Sequence, residues 1–212
     1  MRRRLVWAVY AIACVSGAVV MGFEILGSRV LAPFFGNSVF VWGSLISVFM
    51  LGLAAGYYLG GVAAGRGASF RGLALLLIPP MLLISLLPAY GWAVCDWLFE
   101  LDLGERLGPL LASLALFTLP TVFLGAVSPY LVQIMVRDVC QVGRGAGNLY
   151  AVSTMGSIIG TIGASFFLIL WLGTKAGMVL MGAILGLLVI AAALCHRLAP
   201  VDAACQVPRD PA

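Results

Sequence analysis

The feature that most constrains this chain is a succession of apolar runs longer than a soluble core tolerates. They fall at approximately 5–27, 39–64, 72–95, 108–136, 148–172 and 176–197, and each reaches the roughly 20 residues that an α-helix needs to cross a bilayer. Only 9% of the residues are charged and the mean hydropathy is +1.12, whereas a soluble domain carries about 25% charged residues. In hydrocarbon every backbone N–H and C=O must be satisfied within the protein, and runs of this length do so as helices. The expected fold class is therefore all-α, a polytopic integral membrane bundle of about six transmembrane helices. Residues 1–198 form the transmembrane helical domain, and 199–212, with Pro200, Pro208 and Pro211, form a short, disordered cytoplasmic tail.

Charge placement orients the bundle. Arg2, Arg3 and Arg4 precede the first run, Arg66 and Arg71 follow the second, Arg137 and Arg144 the fourth, and Arg197 the sixth. The opposite connections hold only Arg29, Arg106 and Lys175, and 96–107 is acidic, with Asp96, Glu100, Asp102 and Glu105. The positive-inside rule then puts both termini in the cytoplasm of a multi-pass protein of a bacterial inner membrane. Trp7, Trp42, Trp92, Trp97 and Trp171 fall near run ends, where an indole belongs at headgroup level. The first run follows three arginines as a signal peptide would, but it is too long for one and reads as a retained helix. The twelve Lys and Arg are dispersed over the run ends rather than gathered on one face, which fits a lipid bilayer and no nucleic acid.

No catalytic or cofactor chemistry is visible. The five cysteines, Cys14, Cys95, Cys140, Cys195 and Cys205, form no CxxC pair, and His196 beside Cys195 cannot complete a zinc shell. Neither a metal nor a cofactor is expected, and no catalytic residue is assigned. The run Val142-Gly-Arg-Gly-Ala-Gly147 lacks the preceding strand of a phosphate loop and reads as a tight cytoplasmic turn. Its Arg144, together with Arg66, is a candidate cytoplasmic contact for lipid phosphate or a partner.

The polar candidates are few. Glu24 is expected about one turn inside the outer end of the first helix, with Arg29 as its nearest partner; the pair is either a cation- or substrate-binding site or an interfacial ion pair that pins the turn at Pro33. Pro109, Pro120 and Pro129 should kink the fourth helix, leaving Ser128, Tyr130 and Gln133 to satisfy freed backbone or to line a polar path. Gly52, Gly56 and Gly60 have the small-xxx-small spacing of close helix contact, echoed by Gly156 and Gly160. The echo reads as two tight contacts, with duplicated three-helix halves as the alternative.

Three stretches, FEILGSRVLAPFFGNSVFVWGSLISVFMLGLAAGYYLGG, GAVSPYLVQ and VGRGAGNLYAVSTMGSIIGTIGASFFLILWLGT, together resemble the membrane domain of spermidine-synthase-like proteins, also called fused transporter/spermidine synthases. The resemblance covers roughly residues 20–175. It implies a membrane domain coupled to a soluble aminopropyltransferase-like domain, which this sequence lacks. The chain alone is therefore expected to transfer no aminopropyl group. The resemblance implies an anchor or transport-like module for a separate, soluble synthase-like partner. The alternatives are an accessory subunit of a larger membrane complex and a small organic-cation (polyamine) transporter working as a homo-oligomer.

Overall fold

The computed structural model describes residues 3–135 and 142–198. The tail 199–212, Arg137, Cys140 and Cys205 lie outside them. The described chain is helical throughout, apart from short turns, and has no strand. In order come α1 (Arg3–Phe35), α2 (Val39–Gly65), α3 (Phe70–Glu100), α4 (Gly104–Met135), α5 (Val142–Gly163), a π-helical turn (Ala164–Leu168), α6 (Ile169–Trp171) and α7 (Gly173–Leu198). The π turn joins α5 to α6 as one span, so six spans are long and apolar enough to cross a membrane. The protein is an all-α, multi-pass integral membrane protein.

The helices run further than the apolar runs, and three turns shrink accordingly. Pro33 does not turn the chain: it lies within the last turn of α1, which continues to Phe35. The reversal is left to Gly36 (φ +71°) and Asn37, after which Ser38 caps α2 by accepting the Val41 N–H at 3.4 Å. The acidic connection contracts in the same way. Asp96 and Glu100 belong to α3, and the turn is made by Leu101–Leu103 with Asp102 (φ 46°) and Gly104 (φ 75°) in left-handed conformations. Val142–Gly147, expected as a tight turn, is instead the start of α5. Where water does not compete for the backbone, intrahelical hydrogen bonding outweighs the low helix propensity of glycine.

The pairing of the spans has a two-fold form. The heaviest packing is α2 on α4, α1 on α5 and α3 on α7, followed by α3 on α4 and α1 on α7. If the first three spans are exchanged with the last three, α2–α4 becomes α5–α1, α3–α4 becomes α7–α1, and α3–α7 and α1–α4 return to themselves. Each half has an odd number of spans, so the second half is inverted relative to the first. One glycine of each stripe follows the same operation. Gly52 lies ten residues after Trp42, Gly160 ten after Tyr150, and four further on stand Gly56 and Ala164. A Cβ on Gly52 would meet Thr121 of α4 at 2.9 Å, and one on Gly160 would meet the Ala18 backbone of α1.

At the centre Phe23, Phe49 and Phe117 from α1, α2 and α4 are fully buried, with ring centroids 5.4–5.8 Å apart. Such pairs add about 0.5–1.5 kcal/mol each beyond area burial. This dry cluster locks the crossing of α1 with the α2–α4 pair. By contrast α2 and α5 are not a packed pair: α2 packs chiefly on α4 and α5 chiefly on α1.

Candidate functional site

Because α1 reaches Phe35, Glu24 stands about three turns from its C-terminal end, roughly 16 Å at 1.5 Å per residue. It lies about one turn from the midpoint of the Leu5–Phe35 span. Among the described residues it is the one acid away from helix ends and turns. A carboxylate at that depth costs on the order of 3 kcal/mol on insertion scales, so a polar surrounding or a function is required of it.

Its surroundings follow from the helical repeat. Glu24 is one heptad beyond Gly17, and seven residues fall only about 20° short of two full turns. It therefore continues the strip of α1 on which Gly17 lies. The Gly17 carbonyl accepts a hydrogen bond from the Ser157 hydroxyl of α5 at 3.2 Å, and a Cβ on Gly17 would strike Ser153. The neighbouring strip, Phe23 and Gly27, faces Phe49, Leu45 and Phe117 of α2 and α4. Glu24, half-buried, thus lies on the side of α1 between its strip facing α5 and its strip facing α2 and α4.

Across from it α5 carries hydroxyls four residues apart: Ser153, Ser157, Thr161 and Ser165, all half-buried. Gly156 meets Cys14 and Gly160 meets Ala18, so α5 runs parallel to α1 and the row climbs as α1 climbs to Glu24. A four-residue row drifts by about 40° per step on a 3.6-residue helix. The π turn at Ala164–Leu168 falls at the upper end of the row, at about the level of Glu24. Ser157 Oγ is also 3.2 Å from the Ser153 carbonyl, and Thr161 donates to the Ser157 carbonyl at 2.9 Å. The hydroxyl protons of Ser157 and Thr161 are therefore committed to backbone oxygens. On the other flank of α5 lies a groove of about 230 Å³ with an apolar lining that includes Val15, Ile159, Met181 and Ile184.

The other polar candidates sit elsewhere. Arg29 is exposed and about 140° around α1 from Glu24, five residues on, so the two side chains leave the helix on different sides. Tyr130 is buried at the far end of α4, where its hydroxyl accepts the Ser69 N–H at 3.3 Å and ties α4 to the start of α3. It is roughly 20 Å along α4 from Phe117, the residue level with Phe23. Ser128 is half-buried and Gln133 exposed near that same end. Arg66, the C-cap of α2, and Arg144, in the first turn of α5, are exposed at that end too.

Gly56 faces Val122 and Gly125, Gly60 faces Ala126, and Gly156 and Gly160 lie on α1, all at backbone contact. Sequence reasoning missed the hydroxyl row, although its spacing in VSTMGSIIGTIGAS is plain once the glycines between are assigned to packing. No group of three or more metal-ligating side chains occurs among the described residues. No family model, no curated protein and no solved structure matches the chain.

Proposed function

We propose that this chain is a transport-like membrane module that admits a cation to Glu24 between its two inverted halves. The single observation that carries the reading is the depth of Glu24, about one turn from the midpoint of α1, on the side of that helix between its contacts with α5 and those with α2 and α4. Transporters built from inverted repeats hold substrate near the bilayer midplane at the repeat interface, and alternate access by rocking one half against the other. The orientation that accompanies this reading has both termini in the cytoplasm of a bacterial inner membrane, with Arg66, Arg71, Arg144 and Arg197 at the inner end.

The test is uptake of labelled sodium, methylammonium and putrescine into proteoliposomes of the purified chain. Glu24→Gln abolishes uptake, and Arg29→Gln retains it. Uptake of no cation by the wild-type protein, or equal uptake by Glu24→Gln, contradicts the proposal.

A second reading, an anchor for a soluble synthase-like partner, is favoured by the exposure of Arg66 and Arg144 at one end of the bundle. It predicts that such a protein co-purifies in mild detergent and is lost from the Arg66→Glu/Arg144→Glu variant.

A further inference from the structure

We infer that a furrow between α5 and α7, on the side of α5 away from Glu24 and the hydroxyl row, holds one acyl chain of an anionic phospholipid whose phosphate lies against Arg144 and Asn148. The furrow follows from the packing. Both α5 and α7 pack on α1 but are not a packed pair, and the cavity of about 230 Å³ lies between them. Its lining includes Ala18 of α1, Ile159 of α5, Ile184 of α7 and Leu168 of the π turn. A second cavity of about 530 Å³ adjoins it, lined by Trp7, Tyr10 and Ala11 of α1 and by Asn148, Ala151 and Val152 of α5, and Cys14 lines both.

The two cavities follow one line along the helices. Asn148, Val152, Gly156 and Gly160 stand four apart on α5, and Trp7, Ala11, Cys14 and Ala18 three or four apart on α1, so one strip of each helix lines both. From Asn148 to Gly160 the strip runs about 18 Å at 1.5 Å per residue, close to the depth of one leaflet in a hydrocarbon core about 30 Å thick. The inner cavity has no polar side chain in its lining except the Cys14 thiol, which suits neither an ion nor water. A partner helix, about 10–12 Å across with its side chains, is too broad to enter it. The outer cavity is polar: Trp7, Tyr10 and Asn148 bring an indole N–H, a hydroxyl and an amide. Arg144, exposed, stands one turn before Asn148 on the same face of α5, and Arg3 and Arg4 fall in the first turn of α1 at that end. The acids of the described residues, Glu24, Asp96, Glu100, Asp102 and Glu105, lie at mid-span or toward the opposite end. Basic groups at headgroup level between spans favour a lipid with net negative charge. The chain also bridges α5, the least buried span at 11%, to α7.

Photolabelling reads the site without transport. The full chain is placed in phosphatidylcholine liposomes containing a trace of phosphatidylglycerol with a diazirine near the end of one acyl chain, illuminated and digested, and adducts are located by peptide mass spectrometry. Adducts at Ile159 are expected to outnumber by about tenfold those at Leu51, which is exposed to a similar extent near the middle of α2. Unlabelled phosphatidylglycerol should suppress the Ile159 adducts at about one tenth of the concentration that phosphatidylethanolamine needs. Arg144→Gln should erase that preference, the equivalent of losing one charge-assisted contact, and Arg71→Gln, the same change on α3 at the same end, should keep it.

Ala18→Phe, which fills the furrow, should abolish the Ile159 adducts and spare those at Leu51. Arg144 is exposed, so its replacement tests the headgroup end even where the bulkier change at Ala18 disturbs the fold. Equal labelling of Ile159 and Leu51 overturns the inference, because it marks lipid spread evenly around the bundle. So does equal competition by the two unlabelled lipids. Absence of Ile159 adducts, with Ile159→Cys forming a disulfide between two chains, would place a second copy over the furrow and overturn it as well.

Discussion

The two inverted halves use one packing scheme for opposite ends. In the first half α2 lays Gly52, Gly56 and Gly60 on α4, and beside that stripe runs a row of Leu45, Phe49, Leu53 and Tyr57. In the second half α5 lays Gly156 and Gly160 on α1, and the matching row is Ser153, Ser157, Thr161 and Ser165. The operation that carries Gly52 onto Gly160 carries Leu45 and Phe49, both fully buried, onto Ser153 and Ser157. When Ala18 is aligned with Thr121, the residue of α4 matching Glu24 is Val127, also fully buried. One crossing is lined mainly with aliphatic and aromatic side chains, while the other keeps the same backbone approach beside a row of hydroxyls. Glycine contact sets the scaffold, and the adjacent row sets what each half does.

The largest effect that tests this comparison comes from the glycines, which should matter alike in both halves. A Cβ at Gly56 meets the Val122 carbonyl and one at Gly160 meets that of Ala18, so no rotamer change relieves the clash. Lipid chains are as apolar as leucine, and the helices gain from close contact alone. Gly56→Leu and Gly160→Leu should each destabilise by at least about 1–3 kcal/mol and lose the single folded peak in detergent gel filtration. Leu59→Ala, on the exposed side of α2, should keep it. Folding of Gly160→Leu like wild type would break the equivalence of the halves.

The next effects should separate the rows. Phe49→Ala opens a cavity in the cluster with Phe23 and Phe117 and should cost about 3–5 kcal/mol, read as lowered thermal stability in detergent. Its counterpart Ser157→Ala removes a hydrogen bond to Gly17 and should cost no more than about 1 kcal/mol, the scale of polar contacts between membrane helices. Thr161→Val, whose hydroxyl bonds only within its own helix, should be smaller still. Comparable losses at Phe49 and Ser157 would mean that both rows are structural.

Much of the fold was legible, because six apolar runs force six helices whatever else the sequence holds. Helix ends were not: Pro33, Asp96–Glu100 and Val142–Gly147 read as turns by local propensity, yet all are helical. Local rules calibrated in water undervalue the intrahelical hydrogen bond where water is absent. That error had a consequence, since ending the first helix early placed Glu24 near the surface and beside Arg29 instead of deep in the bundle. Which spans pair lay beyond periodicity too; only the four-residue spacing of Gly52, Gly56 and Gly60, echoed by Gly156 and Gly160, hinted at it. The hydroxyl row was present as a spacing of four, but its meaning depended on knowing that α5 runs parallel to α1.

The measurement that tests the central contrast most directly is water access at matched positions in the two halves. In a background with Cys14, Cys95, Cys140, Cys195 and Cys205 replaced by alanine, Glu24→Cys and Val127→Cys are each exposed to a charged methanethiosulfonate reagent in open membrane fragments. The reading of half-buried Glu24 as a cation-binding carboxylate predicts that the thiol at position 24 reacts, while the thiol at position 127, buried where α4 crosses the bundle, does not. Equal reaction at both positions, or none at position 24, would contradict a polar site built at one of the two crossings alone.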